Sequence, residues 1–291
     1  MNFLSFIVSG LGIGAVYALA SVGLVLLYRT TGVLNFAFGA AGAVGAFVAF
    51  EVDALGFGLL LGCVLGILAS TVVSSLYGRF IAPVLAYRDT VTRSIGTLGY
   101  AMVLLGCIGM IWGELPRRIQ FPTDKMFITL FEVRLTYTRL AALVLAVLVV
   151  VVLSGVISRT RLGLNMRALA NNRDHSAMLG VPVLKVEFFA WLIIGIFAGM
   201  CGILMANLVG LKATALTFLV VPAIAAAIMS GMESLPRTAA AGMFLGVAEA
   251  VLSAFPAIAP YRSAAPFLIA LAAVALMPFL SFAPKRSPNR T

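Results

Sequence analysis

Long apolar runs recur along the whole sequence, and they constrain the fold more than any other feature. Of the 291 residues, 62% are hydrophobic and only 10% are charged. A soluble domain usually carries about 25% charged residues, so a globule with so few charges would not stay dissolved. A helix of about 20 apolar residues crosses a hydrocarbon core about 30 Å thick. We therefore predict an all-α polytopic membrane protein.

The apolar runs predict about eight to nine transmembrane segments in a single membrane domain that covers residues 1–291. The candidate segments are residues 4–28, 33–50, 55–77, 94–112, 139–158, 187–208, 214–230, 238–256 and 263–282. The segment 33–50 is short and rich in glycine, and we expect a short broken or re-entrant helix there. Small-residue spacings within the segments predict close helix packing: Gly58/Gly62/Gly66, Gly195/Gly199 and Gly242/Gly246.

Two connections are longer than tight turns, and the distribution of Lys and Arg orients them. If the segments alternate, 13 of the 20 Lys and Arg residues share a side with residues 159–185, and seven share a side with residues 113–138. Because cytoplasmic loops carry the excess of positive charge, 159–185 is predicted to be cytoplasmic and 113–138 extracytoplasmic. The N-terminus is then outside and the C-terminus inside. The charges lie in short loops, so we expect contacts with membrane lipid and no nucleic-acid partner.

The end of the outer connection alternates apolar and polar residues. Phe127, Thr129, Phe131, Val133 and Leu135 recur at every second position. This period favours a small hairpin or an interfacial strand.

The inner connection reads RTRLGLNMRALANNRDHSAMLGVPV and contains the only histidine of the chain. Its apolar spacing predicts a first short helix that breaks at NNRD. A second helix is predicted to be capped by Asn172 or Asp174 and to end at Gly180. Ala177 and Met178 interleave small apolar side chains with charges, which favours a protein-docking surface. The alternative is an ordinary loop whose arginines bind lipid phosphate.

The sequence contains no recognisable catalytic or metal-binding set. His175 has no Ser or Cys nucleophile at a recognisable spacing, and no H-x-x-x-H pair or acidic cluster suits a metal. None of the four lysines lies in a G-x-x-x-x-G-K-[ST] motif. We predict that the chain is not itself an enzyme and binds no cofactor or metal, so any ATP would be hydrolysed by another polypeptide.

Two intramembrane features are candidates for function. Glu249 is an acid deep in an apparent span, and it could relay protons, contact substrate, form a structural hydrogen bond or lie near an interface. The stretch NFAFGAAGAVGAF begins at Asn35 and favours either a broken helix that lines a pathway or simple close packing. Tyr17, Phe36 and Phe38 suit an apolar cargo path or the protein core.

Three blocks resemble the permease subunits of ATP-binding-cassette importers for branched-chain amino acids. They are GAVYALASVGLVLLYRTTGVLNFAFGAAGAVGAF near the start, the inner connection that ends A-M-L-G-V, and GMFLGVAEA near the end. The blocks occur in the order of that family and span nearly the whole chain. The central connection is the most specific of the three.

The resemblance implies one subunit of a heteromeric importer in the bacterial inner (plasma) membrane. Its partners would be a second permease subunit, two ATP-binding-cassette ATPase subunits and a periplasmic substrate-binding protein, and transport would proceed by alternating access. The family's coupling helix corresponds here to residues of the inner connection: Asn165, Met166, Arg167, Leu169, Ala170, Arg173, Asp174, Ala177, Met178 and Gly180. The translocation path would involve Asn35, Phe36, Phe38, Gly39, Tyr17 and Glu249.

Two departures from the family pattern leave the cargo open. Phe38 stands where the family usually has His in N-F-A-H-G, and SGMESLPRTAAAG replaces a glycine-rich stretch. The cargo is expected to be a branched-chain or other neutral amino acid, with urea, amides or aromatic acids as the alternative. A secondary carrier or channel is disfavoured by the scarcity of intramembrane acids, and a purely structural membrane subunit remains a rival.

Overall fold

The computed structural model describes residues 3–130, 133–255 and 264–280, and within them the chain is helical almost throughout. The helices are α1 (Phe3–Thr31), α2 (Phe38–Ala54), α3 (Leu59–Leu76), α4 (Ala82–Leu85), α5 (Thr90–Trp112), α6 (Tyr137–Arg159), α7 (Arg161–Asn171), α8 (Arg173–Met178), α9 (Val183–Leu208), α10 (Ala213–Thr217), α11 (Val220–Met229), α12 (Leu235–Leu252) and α13 (Ala265–Leu280). The prediction of an all-α protein is therefore confirmed.

Six helical segments of the described chain are long and apolar enough to cross a membrane. They are Ser5–Thr31, Leu59–Leu85, Thr90–Trp112, Tyr137–Arg159, Val183–Leu208 and Leu235–Leu252. The count of eight to nine spans is not confirmed, because the other three segments form shorter helices. α2 has 17 residues, Ala213–Met229 is interrupted between α10 and α11, and α13 has 16. At 1.5 Å per residue, 17 residues extend about 25 Å, less than a core of about 30 Å.

Glycines bring the central helices into backbone contact, as their spacing predicts. Gly246 of α12 lies against Gly14 of α1, and Gly66 of α3 lies against the Gly45 carbonyl of α2. A methyl group at either position would overlap the neighbouring backbone. In a bilayer, such close approach supplies the dispersion contacts that hold helices together. Gly58 is different, because it begins α3 with a φ of 88° and makes no such contact.

The bundle has a buried centre and an apolar outer surface. α1, α2 and α9 bury most of their length, whereas α3, α5 and α6 expose large apolar side chains. The exposed face of α6 consists of branched residues: Val144, Val147, Leu148, Val151 and Val152. Since lipid tails are as apolar as leucine, this surface suits contact with the bilayer.

α3 does not end as a regular helix. Residues Tyr77–Ile81 form one π-helical turn, and α4 continues from it. The side chain of Trp191 on α9 lies against Gly78, where a larger side chain would overlap it. The ring centroids of Tyr77 and Trp191 are 4.7 Å apart. Single π-helical turns occur frequently at functional sites, so the contact between α3 and α9 is a candidate functional site.

Part of the outer connection forms a hairpin, as its alternation favours. Strands β1 (Phe127–Leu130) and β2 (Val133–Thr136) pair antiparallel, with Phe127 opposite Thr136. Phe131 and Glu132 lie outside the described residues. The hairpin therefore leads directly into α6, which begins at Tyr137.

Candidate functional site

The chain is not helical between α1 and α2, where the sequence predicts a helix that begins at residue 33. The Leu34 amide donates to Ser94 Oγ at 3.2 Å, and the Phe36 amide donates to Thr97 Oγ1 at 3.0 Å. Thr97 Oγ1 in turn donates to the Leu34 carbonyl at 3.0 Å. Non-helical backbone within a membrane domain needs partners of this kind, so two hydroxyl groups of α5 stabilise the break.

The residues that follow this break pack tightly. Asn35 is buried; its Oδ1 accepts from the Ala37 amide at 3.0 Å, and its Nδ2 has no hydrogen-bond partner among the described residues. Phe36 is half-buried and Phe38 fully buried. Gly39 lies against backbone of α10, so α2 begins in contact with the interrupted segment α10–α11. The four predicted path residues Asn35, Phe36, Phe38 and Gly39 thus lie within five consecutive positions, with Phe38 in the core.

Tyr17 and Glu249, the other two predicted path residues, form a separate pair. Tyr17 Oη donates to Glu249 Oε2 at 2.7 Å, and Tyr17 is buried between α1 and α12. Of the roles that the sequence left open for Glu249, the structure therefore shows the hydrogen bond to a neighbouring helix.

The inner connection folds into the two predicted short helices. Thr160 Oγ1 accepts from the Gly163 amide at 3.1 Å and caps α7. Asn172 Oδ1 accepts from the His175 amide at 3.0 Å, so Asn172 and not Asp174 caps α8. Gly180 has a φ of 83°, which a glycine adopts without strain, and the chain turns there towards α9.

The ten predicted coupling residues divide between two faces of these helices. Met166 and Leu169 are buried against the bundle, and they hold α7 in place. Asn165 and Arg173 are half-buried. The exposed members are Arg167, Ala170, Asp174, Ala177, Met178 and Gly180.

The most exposed apolar part of the inner connection is the end of α8. Met178 is 84% exposed, and its neighbour Leu179, which the sequence analysis did not single out, is 85% exposed. The sequence could have indicated the exposure of Leu179, because it lies between Met178 and Gly180, the glycine that ends the helix. We call the exposed set Asp174, Ala177, Met178 and Leu179 the α8 surface.

One buried ion pair ties α8 to the bundle. Arg173 Nε donates to Glu187 Oε1 at 2.9 Å, and Arg173 Nη2 donates to Glu187 Oε2 at 3.4 Å. The Glu187 side chain is only 7% exposed. The hydrogen bond to Glu187 raises the pKa of Arg173, and the guanidinium also lies over the Tyr87 ring at 5.9 Å. Sequence reasoning missed Glu187; the available signal was an acid within the first turns of an otherwise apolar helix.

A cavity of about 720 Å³ opens beside this pair, between the ends of α1 and α7, the start of α5 and the turn before α12. Its charged lining residues are four arginines and one acid: Arg29, Arg93, Arg167, Arg173 and Glu233. Arg29 Nη1 donates to the Glu233 carbonyl oxygen at 2.7 Å. Four of the arginines that the charge distribution assigned to one side of the membrane therefore converge at one end of the bundle.

The outer connection is anchored at the opposite end by Asp124. The Asp124 carboxylate accepts from the Phe121 amide at 2.8 Å, from Thr138 Oγ1 at 2.5 Å and from Asn207 Nδ2 at 2.7 Å. Asn207 also donates to the Ile119 carbonyl at 3.0 Å. These bonds join the connection to α6 and to the end of α9, so it forms a structured cap.

His175 is exposed on α8. Within the described ranges, no group of three His, Cys, Asp or Glu side chains lies close enough to hold a metal ion.

Comparison with known proteins gives a consistent result over nearly the whole chain. Residues 6–276 match the sequence profile of the family described as "Branched-chain amino acid transport system / permease component". The chain is 26% identical over 272 residues to the high-affinity branched-chain amino acid transport system permease protein LivH of Escherichia coli (strain K12), which covers 88% of this chain and 87% of that protein. It is 27% identical over 264 residues to the corresponding protein BraD of Pseudomonas aeruginosa, with 86% of each covered. A probable permease LivH of Methanocaldococcus jannaschii is 27% identical over 250 residues, covering 82% of this chain and 78% of that protein.

Proposed function

This chain belongs to the family of permease components of branched-chain amino acid transport systems, and on that premise we propose that it forms the translocation path of an ATP-driven amino-acid importer. Family membership makes it a multi-pass membrane subunit of an ATP-binding-cassette transporter. The proposed cargo is a branched-chain or other neutral amino acid. The names of the relatives support this cargo. The buried Phe38, where the family usually has His, keeps urea, amides and aromatic acids as the alternative.

The proposed partners are a second permease subunit, two ATPase subunits and a periplasmic substrate-binding protein. One observation carries the link to the ATPase: the α8 surface projects two apolar side chains, Met178 and Leu179, that are 84% and 85% exposed. Apolar anchors surrounded by polar residues are typical of the centres of protein interfaces. Asp174 supplies a polar edge beside them. We assign this surface to the ATPase subunit.

Alternating access then follows from differential binding. ATP closes the ATPase pair, and the pair binds one conformation of the permease more tightly than the other, which shifts the equilibrium of the helices. The movement enters through α8, which the Arg173–Glu187 pair joins to α9 in the conformation described. ATP hydrolysis returns the ATPase pair, and with it the permease, to the starting conformation.

The proposed orientation places the inner connection in the cytoplasm, the N-terminus outside and the C-terminus inside. The four arginines that converge on the 720 Å³ cavity support this orientation, because positive charge accumulates on the cytoplasmic side. In this proposal α2, α10–α11 and α13 complete nine crossings. The non-helical backbone before α2 and the interruption between α10 and α11 extend their short helices.

The path is proposed to pass the place where Gly39 meets α10. Two interrupted segments meet there, and breaks of this kind in a membrane are tolerated beside a cavity or within protein. Both segments are closed against each other in this conformation, so opening requires them to move apart. Asn35, whose Nδ2 has no partner among the described residues, lies within the non-helical stretch before α2.

The decisive experiment is uptake of labelled leucine into proteoliposomes that contain the whole complex, with ATP hydrolysis measured in parallel. Ala177→Arg and Met178→Asp are expected to abolish co-purification of the ATPase or to separate hydrolysis from uptake. Met178→Leu, which keeps the apolar anchor, is the matched control and should behave as wild type. Normal coupled uptake in both disruptive variants would contradict the docking assignment.

The same assay separates the rival functions. A secondary carrier would take up leucine without the ATPase when an ion gradient is applied. A purely structural subunit would tolerate Asn35→Ala and Phe36→Ala without any loss of flux. An ATP-driven permease for urea, amides or aromatic acids would transport those solutes and leave leucine outside.

A further inference from the structure

Glu187 lies between two arginines that belong to different elements. Arg173 on α8 is its ion-pair partner, at 2.9 Å. Arg93, in the first turn of α5, lines the same narrow space of about 10 Å³ as Glu187 and Trp191. Arg93 is attracted by the charge of Glu187 and repelled by that of Arg173. A single buried carboxylate therefore lies within the electrostatic reach of two guanidinium groups.

Arg93 is half-buried, and its guanidinium forms no ion pair with any residue that the structure describes. The nearest acid along the chain, Asp89, uses its carboxylate to cap α5 through the Thr92 amide at 3.0 Å and Thr92 Oγ1 at 2.6 Å. A charge that is partly removed from water without a partner is unfavourable, so Arg93 favours any arrangement that brings a carboxylate to it.

Movement of α8 would disrupt the ion pair between Arg173 and Glu187. α8 has only six residues, and its outward end carries the α8 surface. A force on Met178 and Leu179 that draws α8 away from the bundle would stretch the Arg173–Glu187 bond unless α9 moved with it. Breaking a buried ion pair is costly because it leaves an uncompensated charge, and a second partner nearby removes that cost.

We propose that Glu187 is a positioning residue that exchanges Arg173 for Arg93 during transport. In the conformation described, Glu187 ties α9 to α8. In the other conformation it ties α9 to α5, while α8 follows the ATPase. The inference rests on the proposed function, because it requires a partner that moves α8.

The site of the proposed exchange adjoins the contact between α9 and the π-helical turn at the end of α3. Trp191 lies one helical turn beyond Glu187 on α9 and packs on Gly78 in the π-helical turn. Tyr77 of that turn packs on Trp191 and donates from Oη to the Arg93 carbonyl at 3.5 Å. An exchange at Glu187 therefore changes how α5 and α9 hold the end of α3, the place where its helical hydrogen bonding is already irregular.

Charge reversal distinguishes exchange from a fixed bridge. The double variant Arg173→Glu/Glu187→Arg restores one ion pair, but it places the new guanidinium at position 187 beside Arg93. The triple variant Arg93→Glu/Arg173→Glu/Glu187→Arg restores both pairs with reversed signs. Uptake by the double variant is expected to fall about tenfold, within the usual range of coupling between sites, and the triple variant should recover most of it. A double variant that transports as well as wild type would overturn the exchange, and so would a triple variant that is folded, assembled and no better than the double.

Single substitutions at Arg93 keep the test decisive if the triple variant fails to assemble. Arg93→Gln leaves the Arg173–Glu187 pair intact, so the nucleotide-free complex should keep wild-type thermal stability and the wild-type α8–α9 distance, measured between spin labels. Its uptake should fall about tenfold, and Arg93→Lys should retain most of the activity. Wild-type uptake by Arg93→Gln would overturn the proposal, as would an equal loss of stability in the nucleotide-free and ATP-bound complexes.

The wild-type complex is measured first, so that two failures remain distinct. Absence of ATP-dependent uptake of leucine and of every other neutral amino acid in wild type contradicts the proposed function. ATP-dependent uptake that is insensitive to Arg93→Gln contradicts only the exchange of partners.

Discussion

Tyr17 Oη of α1 donates a hydrogen bond of 2.7 Å to Glu249 Oε2 of α12. The two helices approach closely through glycines, with Gly14 of α1 against Met243 and Gly246 of α12, so the pair lies within one of the tightest interfaces of the bundle. A carboxylate in this setting has two possible uses, in holding the helices together or in handling protons or substrate. The geometry favours the first use, because the partner is a buried phenol on a neighbouring helix.

Glu249→Gln should therefore keep uptake, because an amide oxygen still accepts from Tyr17. Tyr17→Phe removes the donor and should lower the free energy of unfolding by about 0.5–1.5 kcal/mol, the usual net contribution of one hydrogen bond. Uptake in proteoliposomes and thermal unfolding in detergent measure the two effects. Loss of uptake in Glu249→Gln with unchanged unfolding would instead assign Glu249 to proton transfer or substrate contact.

Gly39→Ala should destabilise the protein, because the added methyl group would overlap the Leu216 and Thr217 carbonyls of α10. Overpacking of this kind typically costs about 1–3 kcal/mol, which thermal unfolding would detect. Gly155→Ala in α6 is the matched control, because open space surrounds that position. The control should be neutral or more stable by up to about 1 kcal/mol, the helix preference of alanine over glycine. Equal behaviour of the two variants would contradict a tight contact between α2 and α10.

Thr97→Val should destabilise the non-helical stretch before α2. The substitution keeps the shape of the side chain but removes the group that accepts from the Phe36 amide and donates to the Leu34 carbonyl. We expect a loss of about 1–3 kcal/mol of stability per unpaired buried group, together with reduced uptake. Thr97→Ser, which retains the hydroxyl, is the control and should stay close to wild type in both assays.

Labelling of single cysteines tests the orientation of the chain. Leu164→Cys on α7 and Leu115→Cys after α5 replace residues that are 59% and 76% exposed, at opposite ends of the bundle. With the three native cysteines replaced, a membrane-impermeant thiol reagent should label position 115 in intact spheroplasts and position 164 only in inverted vesicles. The reverse pattern would contradict an outside N-terminus.

Much of the fold follows from patterns that act over short distances. The start of α9 and the end of α5 lie within a few residues of the expected boundaries, because an apolar run ends where polar groups become favourable. The hairpin at Phe127–Thr136 and the two short helices before Gly180 were predicted from alternation and from capping residues. Each of these signals is complete within about ten neighbouring residues of the chain.

The candidate site was predictable only in part, because its contacts join residues that are far apart in the sequence. The sequence located Asn35 and Gly39 at an irregular helix but did not predict that Thr97 satisfies the break or that α10 closes over it. The resemblance placed Arg173 among the coupling residues of the inner connection but did not predict its ion pair with the buried Glu187. Hydropathy did not predict that the apolar segment at residues 214–230 is interrupted where α10 ends and α11 begins, so the count of eight to nine spans stays unconfirmed.

The sequence by itself determined that this chain is a helical membrane protein, which family it belongs to and where its polar connections lie. Those properties depend on the transfer of apolar segments out of water and on local backbone preferences, both of which act along the chain. The tertiary structure alone decided which polar groups within the bundle are partners, such as Tyr17 with Glu249 and Arg173 with Glu187. A buried hydrogen bond or ion pair depends on distance and direction between side chains, and only the packing of the helices sets these.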